Sequence, residues 1–220
     1  MTSELVDLSH TVEHGMLTYK GLPVPIISDY LSREQSRKNY SEGTQFHIGK
    51  IEMVANTGTY VDSPFHRYAE GKDLSELDLE SLANVDGVVI NCTAAEERGI
   101  DERPLQDVDV AGKAVLFHTG WDVHWRTDEY VSGKHPYLTA RVAEYLAQQQ
   151  ARIVGIDSYN IDNTETGERP AHSILLAHNI PIVEHLCGLA ALPRAGFKFF
   201  AVPVKVRRFG TFPVRAFALV

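Results

Sequence analysis

The stretch Asn56-Thr57-Gly58-Thr59-Tyr60-Val61-Asp62-Ser63-Pro64-Phe65-His66 constrains this chain more than any other segment. Side chains of an extended strand alternate between its faces, so Asn56, Tyr60 and Asp62 would share one face, with Gly58 leaving room between them. Pro64 cannot donate a ladder hydrogen bond and therefore ends any central pairing. His66 follows two residues later. The segment must be a short strand that stops at a cluster of polar groups. Such convergence is what a site needs to hold a cation and move protons.

The rest of the chain supplies a framework for such a strand. Asp86–Asn91, Lys113–Phe117 and Arg152–Asp157 are short apolar runs, which suit strands buried on both faces. Further strands are expected at Leu5–Leu8, Thr44–Val54 with a bulge or turn at Gly49-Lys50, Ile180–Glu184, Phe197–Val204 and Val214–Leu219. Thr139–Gln149 has helical periodicity, with Val142, Tyr145 and Leu146 on one face. Ala171–Ala177 reads as a short helix behind Pro170. A loop-rich section runs to about Pro25, and residues 29–43 form a polar excursion, read as mobile or intersubunit. Strands and helices mix without strict alternation, which predicts an α/β fold with a mixed, barrel-like sheet.

With 220 residues, no repeat and no low-complexity linker, a single domain spanning 1–220 is expected. The 21 basic and 29 acidic side chains give a net charge of -8, with no basic run to suggest a nucleic-acid surface. Arg207-Arg208 reads as a solvated or salt-bridged pair. The first residues lack a secretory pattern, and no run of apolar residues is long enough to span a bilayer. A cytoplasmic protein without a membrane segment is therefore expected. Cys92 and Cys187 have no metal-type spacing and read as reduced.

The second polar constellation is His172 near a helix start and Glu184 at a strand end. With Asp62 they form a carboxylate, imidazole and carboxylate set, a sound donor set for a divalent cation. Taken alone, each also suits a bland role: a capping histidine or a salt-bridged glutamate. The remaining histidines read as bland, with His178 placed against the C-terminal end of its helix.

Several ordered motifs resemble the metal-dependent cyclase family, which includes bacterial kynurenine formamidases and isatin hydrolases. They are Asp7-Leu8-Ser9-His10, the 56–66 segment, Thr119-Gly120-Trp121, Gly155-Ile156-Asp157-Ser158, His172 with Leu175-Leu176, Glu184 with Leu186 and Leu189, and Pro213-Val214-Arg215-Ala216. The resemblance implies a swivelling β/β/α fold, usually a homodimer or higher homo-oligomer, acting on a small molecule. It implies Asp62, His172 and Glu184 as metal ligands and His66 as catalytic acid/base.

The usual signature is His-x-Gly-Thr-His-x-Asp-x-Pro-x-His, and here Asn56 and Tyr60 replace its first two histidines. An amide and a phenol are weak zinc donors, so one of the family's two ion sites is expected to be lost. About one divalent ion per chain, Mn²⁺ or Zn²⁺, is therefore expected, with oxygen-rich donors shifting preference away from zinc. Tyr60 is expected to donate a hydrogen bond to a substrate carbonyl. Asn56, Phe46, Phe65 and Trp121 are expected to contact substrate.

The implied reaction is hydrolysis of an arylformamide or cyclic amide, with metal-bound water attacking the carbonyl and His66 moving the proton. Two alternatives share the same frame: a ring-closing cyclase or dehydratase, and a silent binding protein with a degenerate site. A serine hydrolase is the least favoured class, since the sequence has no Gly-x-Ser-x-Gly elbow.

Overall fold

The computed structural model describes residues 4–220. In chain order the strands are β1 (Leu5–Asp7), β2 (Ile26–Leu31), β3 (Ile48–Glu52), β4 (Tyr60–Asp62), β5 (Val85–Asn91), β6 (Gly99–Ile100) and β7 (Ala114–His118). They continue with β8 (Tyr137–Leu138), β9 (Ile153–Ile156), β10 (Ile182–Glu184), β11 (Ala195–Phe200), β12 (Thr211–Pro213) and β13 (Phe217–Leu219). The helices are α1 (Arg33–Ser36), α2 (Ala140–Gln148) and α3 (Pro170–Ala177).

Nine strands form one curled sheet in the order β1-β13-β11-β5-β7-β9-β10-β4-β12. Its centre, β5-β7-β9-β10, is parallel, and the strands on both flanks are antiparallel. This is the mixed, barrel-like sheet that the apolar runs imply. The period-two alternation of β7 shows how it is buried. Val115 and Phe117 join a core cluster with Val142 and Leu146 of α2 and Leu175 of α3. Ala114 and Leu116 join a second cluster with Leu8, Val183 and Phe199 on the other face. Each fully buried aliphatic side chain contributes about 1.5–3 kcal/mol, so a strand buried on both faces anchors both layers.

Three expectations need correction. The strand around Asp62 begins only at Tyr60, because Gly58 takes a φ of +66°, outside any ladder. A Cβ there would also lie 2.9 Å from Val12 Cγ2, so the position is closed to larger residues. Second, part of the polar 29–43 excursion is strand: β2 pairs with β3 as a separate antiparallel ribbon, joined through α1. Third, β12 is a strand in its own right, whereas the chain from Ala201 to Gly210 is irregular. Among the described residues no helix is long and apolar enough to cross a membrane.

The return of β12 alongside β4 brings Gly210 against the turn that carries His66. A Cβ on Gly210 would lie 2.6 Å from both the Cα and the N of His66, which are backbone atoms and cannot rotate away. Gly210→Ala is therefore expected to destabilise the protein by about 1–3 kcal/mol, measured by urea unfolding. Wild-type stability in that variant would mean that the two segments are not closely packed.

Candidate metal centre

Register alone assembles most of the site. β10, β4 and β12 lie side by side, with Glu184 opposite Tyr60, and with Asp62 flanked by Ile182 and Thr211. Tyr60 and Asp62 are two apart and face the same way. The Tyr60 hydroxyl donates to Glu184 Oε2 at 2.6 Å, and the Thr211 hydroxyl donates to Asp62 Oδ1. Both carboxylates are essentially without solvent exposure.

His66 comes from the single 3-10 turn Pro64–His66, which proline starts. Its Nδ1 lies 2.9 Å from Thr211 Oγ1. The Thr211 proton is committed to Asp62, so its oxygen accepts from His66 Nδ1–H. That hydrogen bond orients a ring that is about one third exposed.

His172 lies in the first turn of α3, and Asp162 holds it. The Asp162 carboxylate accepts from the backbone N–H groups of Ala171 and His172, at 2.7 and 3.0 Å, capping the helix. It also accepts from His172 Nδ1 at 2.7 Å. His172 Nε2 is thereby the nitrogen that would face a metal ion, the arrangement usual for metal-ligating histidine once its proton is displaced. Nε2 lies 3.7 Å from Asp62 Oδ2 and 3.7 Å from Glu184 Oε1. Ligands about 2.0–2.2 Å from one tetrahedral ion are separated by a little less than this.

The electrostatics favour a cation here. Burial alone would lower the His172 pKa, but the Glu184, Asp162 and Asp62 carboxylates outweigh it and hold the imidazole up at about 10. Burial pushes Glu184 up to about 7 against the opposing pull of His172. Asp62 is fully buried, yet His66, His172 and Thr211 keep it below its ordinary value. Asp62 Oδ2 is a buried oxygen with no hydrogen-bond partner among the described residues, which costs free energy unless something positive meets it. Ligand atoms of Asp62, His66 and His172 all lie within 4.8 Å of one another. The residues therefore fit a divalent ion.

The replaced signature positions take other roles. Tyr60 is buried, and burial together with the charges of Glu184 and Asp62 raises its pKa well above 10, so it is a neutral phenol. Asn56 lines the same cavity beside it. The one phenolic proton is spent on Glu184, and the role this leaves Tyr60 is to hold that carboxylate. Glu184 Oε1 also accepts from the Ile161 N–H at 2.6 Å.

Asn56, Tyr60, His66, His172 and Glu184 all line one cavity of about 650 Å³. Phe46, Phe65 and Trp121 are not on its wall. Phe46 packs edge-on against Tyr40, next to the β2–β3 ribbon. Trp121 Nε1 donates to the Tyr130 carbonyl, and its turn is tied down by Asp157, which accepts from Thr119 and Gly120. The Thr119 and Asp157 motifs thus hold each other. His178 sits against the Ile174 carbonyl in the last turn of α3. Sequence reasoning missed Asp162 and Thr211, because each works through a hydrogen bond to a residue brought close only by the fold.

The model of the family described as "Putative cyclase" matches residues 6–163, well over half of the chain. The chain belongs to the cyclase family. Kynurenine formamidase from Geobacillus thermodenitrificans is 32% identical, over 98% of this chain and 97% of its own. Kynurenine formamidase from Bacillus cereus is 27% identical, over the same shares. Among solved structures, isatin hydrolase A from Labrenzia aggregata superposes with a TM-score of 0.82 at 21% identity. That match covers 99% of this chain and 94% of the hydrolase, and confirms the cyclase-family fold.

Asp162→Asn is expected to weaken metal affinity by about 10- to 100-fold, since the amide no longer fixes the His172 tautomer. Isothermal titration with Mn²⁺ or Zn²⁺ checks this. The raised pKa values of His172, about 10, and Glu184, about 7, mean that a cation competes with protons for these groups. Metal affinity should therefore rise as pH rises through about 7. Affinity independent of pH would contradict the ligand set.

Proposed function

We propose that this cyclase-family protein is a metal-dependent amide hydrolase that opens an arylformamide or a cyclic amide. The observation that carries the reading is the partnerless buried Asp62 Oδ2, which faces His172 Nε2 at the wall of a large cavity. Support also comes from full-length similarity to kynurenine formamidases.

Asp62, His172 and Glu184 would hold one divalent ion, with their oxygen-rich character favouring Mn²⁺ over Zn²⁺. Such an ion supplies polarisation of the scissile carbonyl and a lowered pKa for water. His66 Nε2 takes the proton from the attacking water as the carbon–oxygen bond forms. The same nitrogen returns it to the departing amine as the carbon–nitrogen bond breaks. Thr211 keeps His66 in the tautomer this requires. Tyr60 keeps Glu184 in place, and Asn56 faces the substrate on the cavity wall.

The same reading makes the protein a cytoplasmic homodimer or higher homo-oligomer. The exposed apolar side chains of the β2–β3 ribbon, Ile26, Tyr30, Ile48 and Ile51, support a partner face there.

Incubation of the Mn²⁺- or Zn²⁺-loaded protein with formanilide and with isatin, followed by product mass, tests the proposal. The expected products are those of added water. Loss of water from a hydroxylated acid would instead indicate a dehydratase, and ligand stabilisation without any product would indicate a binding protein. His66→Ala should lower kcat by roughly 10²–10⁴ while metal content stays intact. Turnover close to wild type would remove His66 from the mechanism.

A further inference from the structure

One cationic group on the cavity wall is used by nothing described so far. Arg67 follows His66 directly, and its Nε donates to Ser173 Oγ at 3.2 Å. Ser173 in turn follows His172. The guanidinium is therefore tethered between the residues next to both imidazoles, and both Arg67 and Ser173 line the cavity. Its flat face lies over the Tyr68 ring, 5.3 Å from the centroid, which limits its freedom further. No carboxylate pairs with Arg67 among the described residues.

The other charges on the wall are accounted for. Arg169 donates through Nη1 to the carbonyls of Asn163, Thr166 and Glu168, so it braces its own loop. Glu184 is held by Tyr60 and Ile161 and belongs to the proposed ligand set. Glu168 is exposed at the turn that Arg169 braces and forms no ion pair with Arg67. A pre-positioned guanidinium with both terminal nitrogens uncommitted matches the geometry of a carboxylate.

A second observation has the same sign. In a chain of net charge -8, the irregular segment before Gly210 carries Lys205, Arg207 and Arg208, all exposed. None of the three side chains pairs with a carboxylate among the described residues, in contrast to the salt-bridged option for Arg207-Arg208. Gly210 itself lies against His66. Positive charge thus gathers on the segment that packs beside the catalytic turn, and it would draw anions toward the cavity.

We propose that Arg67, held by Ser173, is the subsite for a carboxylate on the substrate, so that this protein acts on amides that also carry an anionic group. The proposal rests on the amide-hydrolase reading for its chemistry, but its binding component stands separately. The test uses the metal-loaded protein and two matched sets. The substrates are formanilide and its 2-, 3- and 4-carboxylate derivatives; the ligands are aniline and the corresponding aminobenzoates. Arg67→Gln and Arg67→Lys are compared with wild type.

Wild type is expected to prefer at least one carboxylated substrate in kcat/KM, and the matching aminobenzoate in Kd, by about tenfold or more. Arg67→Gln should collapse both preferences, mainly through KM, and Arg67→Lys should restore part of each. Equal preference in wild type and Arg67→Gln would overturn the proposal, even with every substrate hydrolysed. Failure of the hydrolase reading looks different: no amine is released from any substrate, while the Arg67-dependent binding preference remains.

Discussion

The structure turns on three buried carboxylates around one imidazole. Asp62, Asp162 and Glu184 have lost nearly all contact with water and converge on His172. Burying carboxylates is costly unless hydrogen bonds and opposite charge compensate. Asp162 is satisfied by the helix N-terminus it caps, and Glu184 by Tyr60 and Ile161. Asp62 is satisfied at one oxygen only. The positive partner is either a proton on His172 or a divalent cation, and the surrounding carboxylates hold the pKa of that imidazole well up. The β10–β4–β12 register, the capping of α3 and the tautomers of both histidines all serve this cluster.

The replaced signature positions fit the same economy of charge. Histidines at 56 and 60 would add ligands; Tyr60 instead adds a hydrogen bond to a ligand candidate already present, Glu184, while Asn56 lines the cavity. A phenol held neutral beside two carboxylates is a donor, and its proton goes to the nearest charge, Glu184. The site thereby departs from the family pattern at these two positions. The Glu184 carboxylate is held by the phenol, and Asn56 and Tyr60 line the cavity.

Much of this was readable in the chain. β5, β7 and β9 announce themselves as apolar runs because each is buried on both faces, and α2 follows its heptad-like stripe. β2 gave no such signal, since its residues are almost all exposed and it pairs in a two-stranded ribbon with β3. The strand before Asp62 was overextended because period-two spacing cannot report that Gly58 leaves the ladder. In the site, Asp62, His66, His172 and Glu184 are residue types that declare their chemistry, and the family motifs set their roles. Thr211 and Asp162 declare nothing: one is a register partner across strands 149 positions apart, the other a cap ten residues from its histidine.

The central claim is that the carboxylate cluster holds a divalent ion through Asp62 and His172. Metal content of the purified protein by mass spectrometry, alongside Asp62→Ala and His172→Ala, tests it most directly. The account predicts about one ion per chain in the wild-type protein and loss of that ion in both variants. Absence of any bound ion, even after Mn²⁺ and Zn²⁺ are supplied, or full retention in the variants, would contradict it.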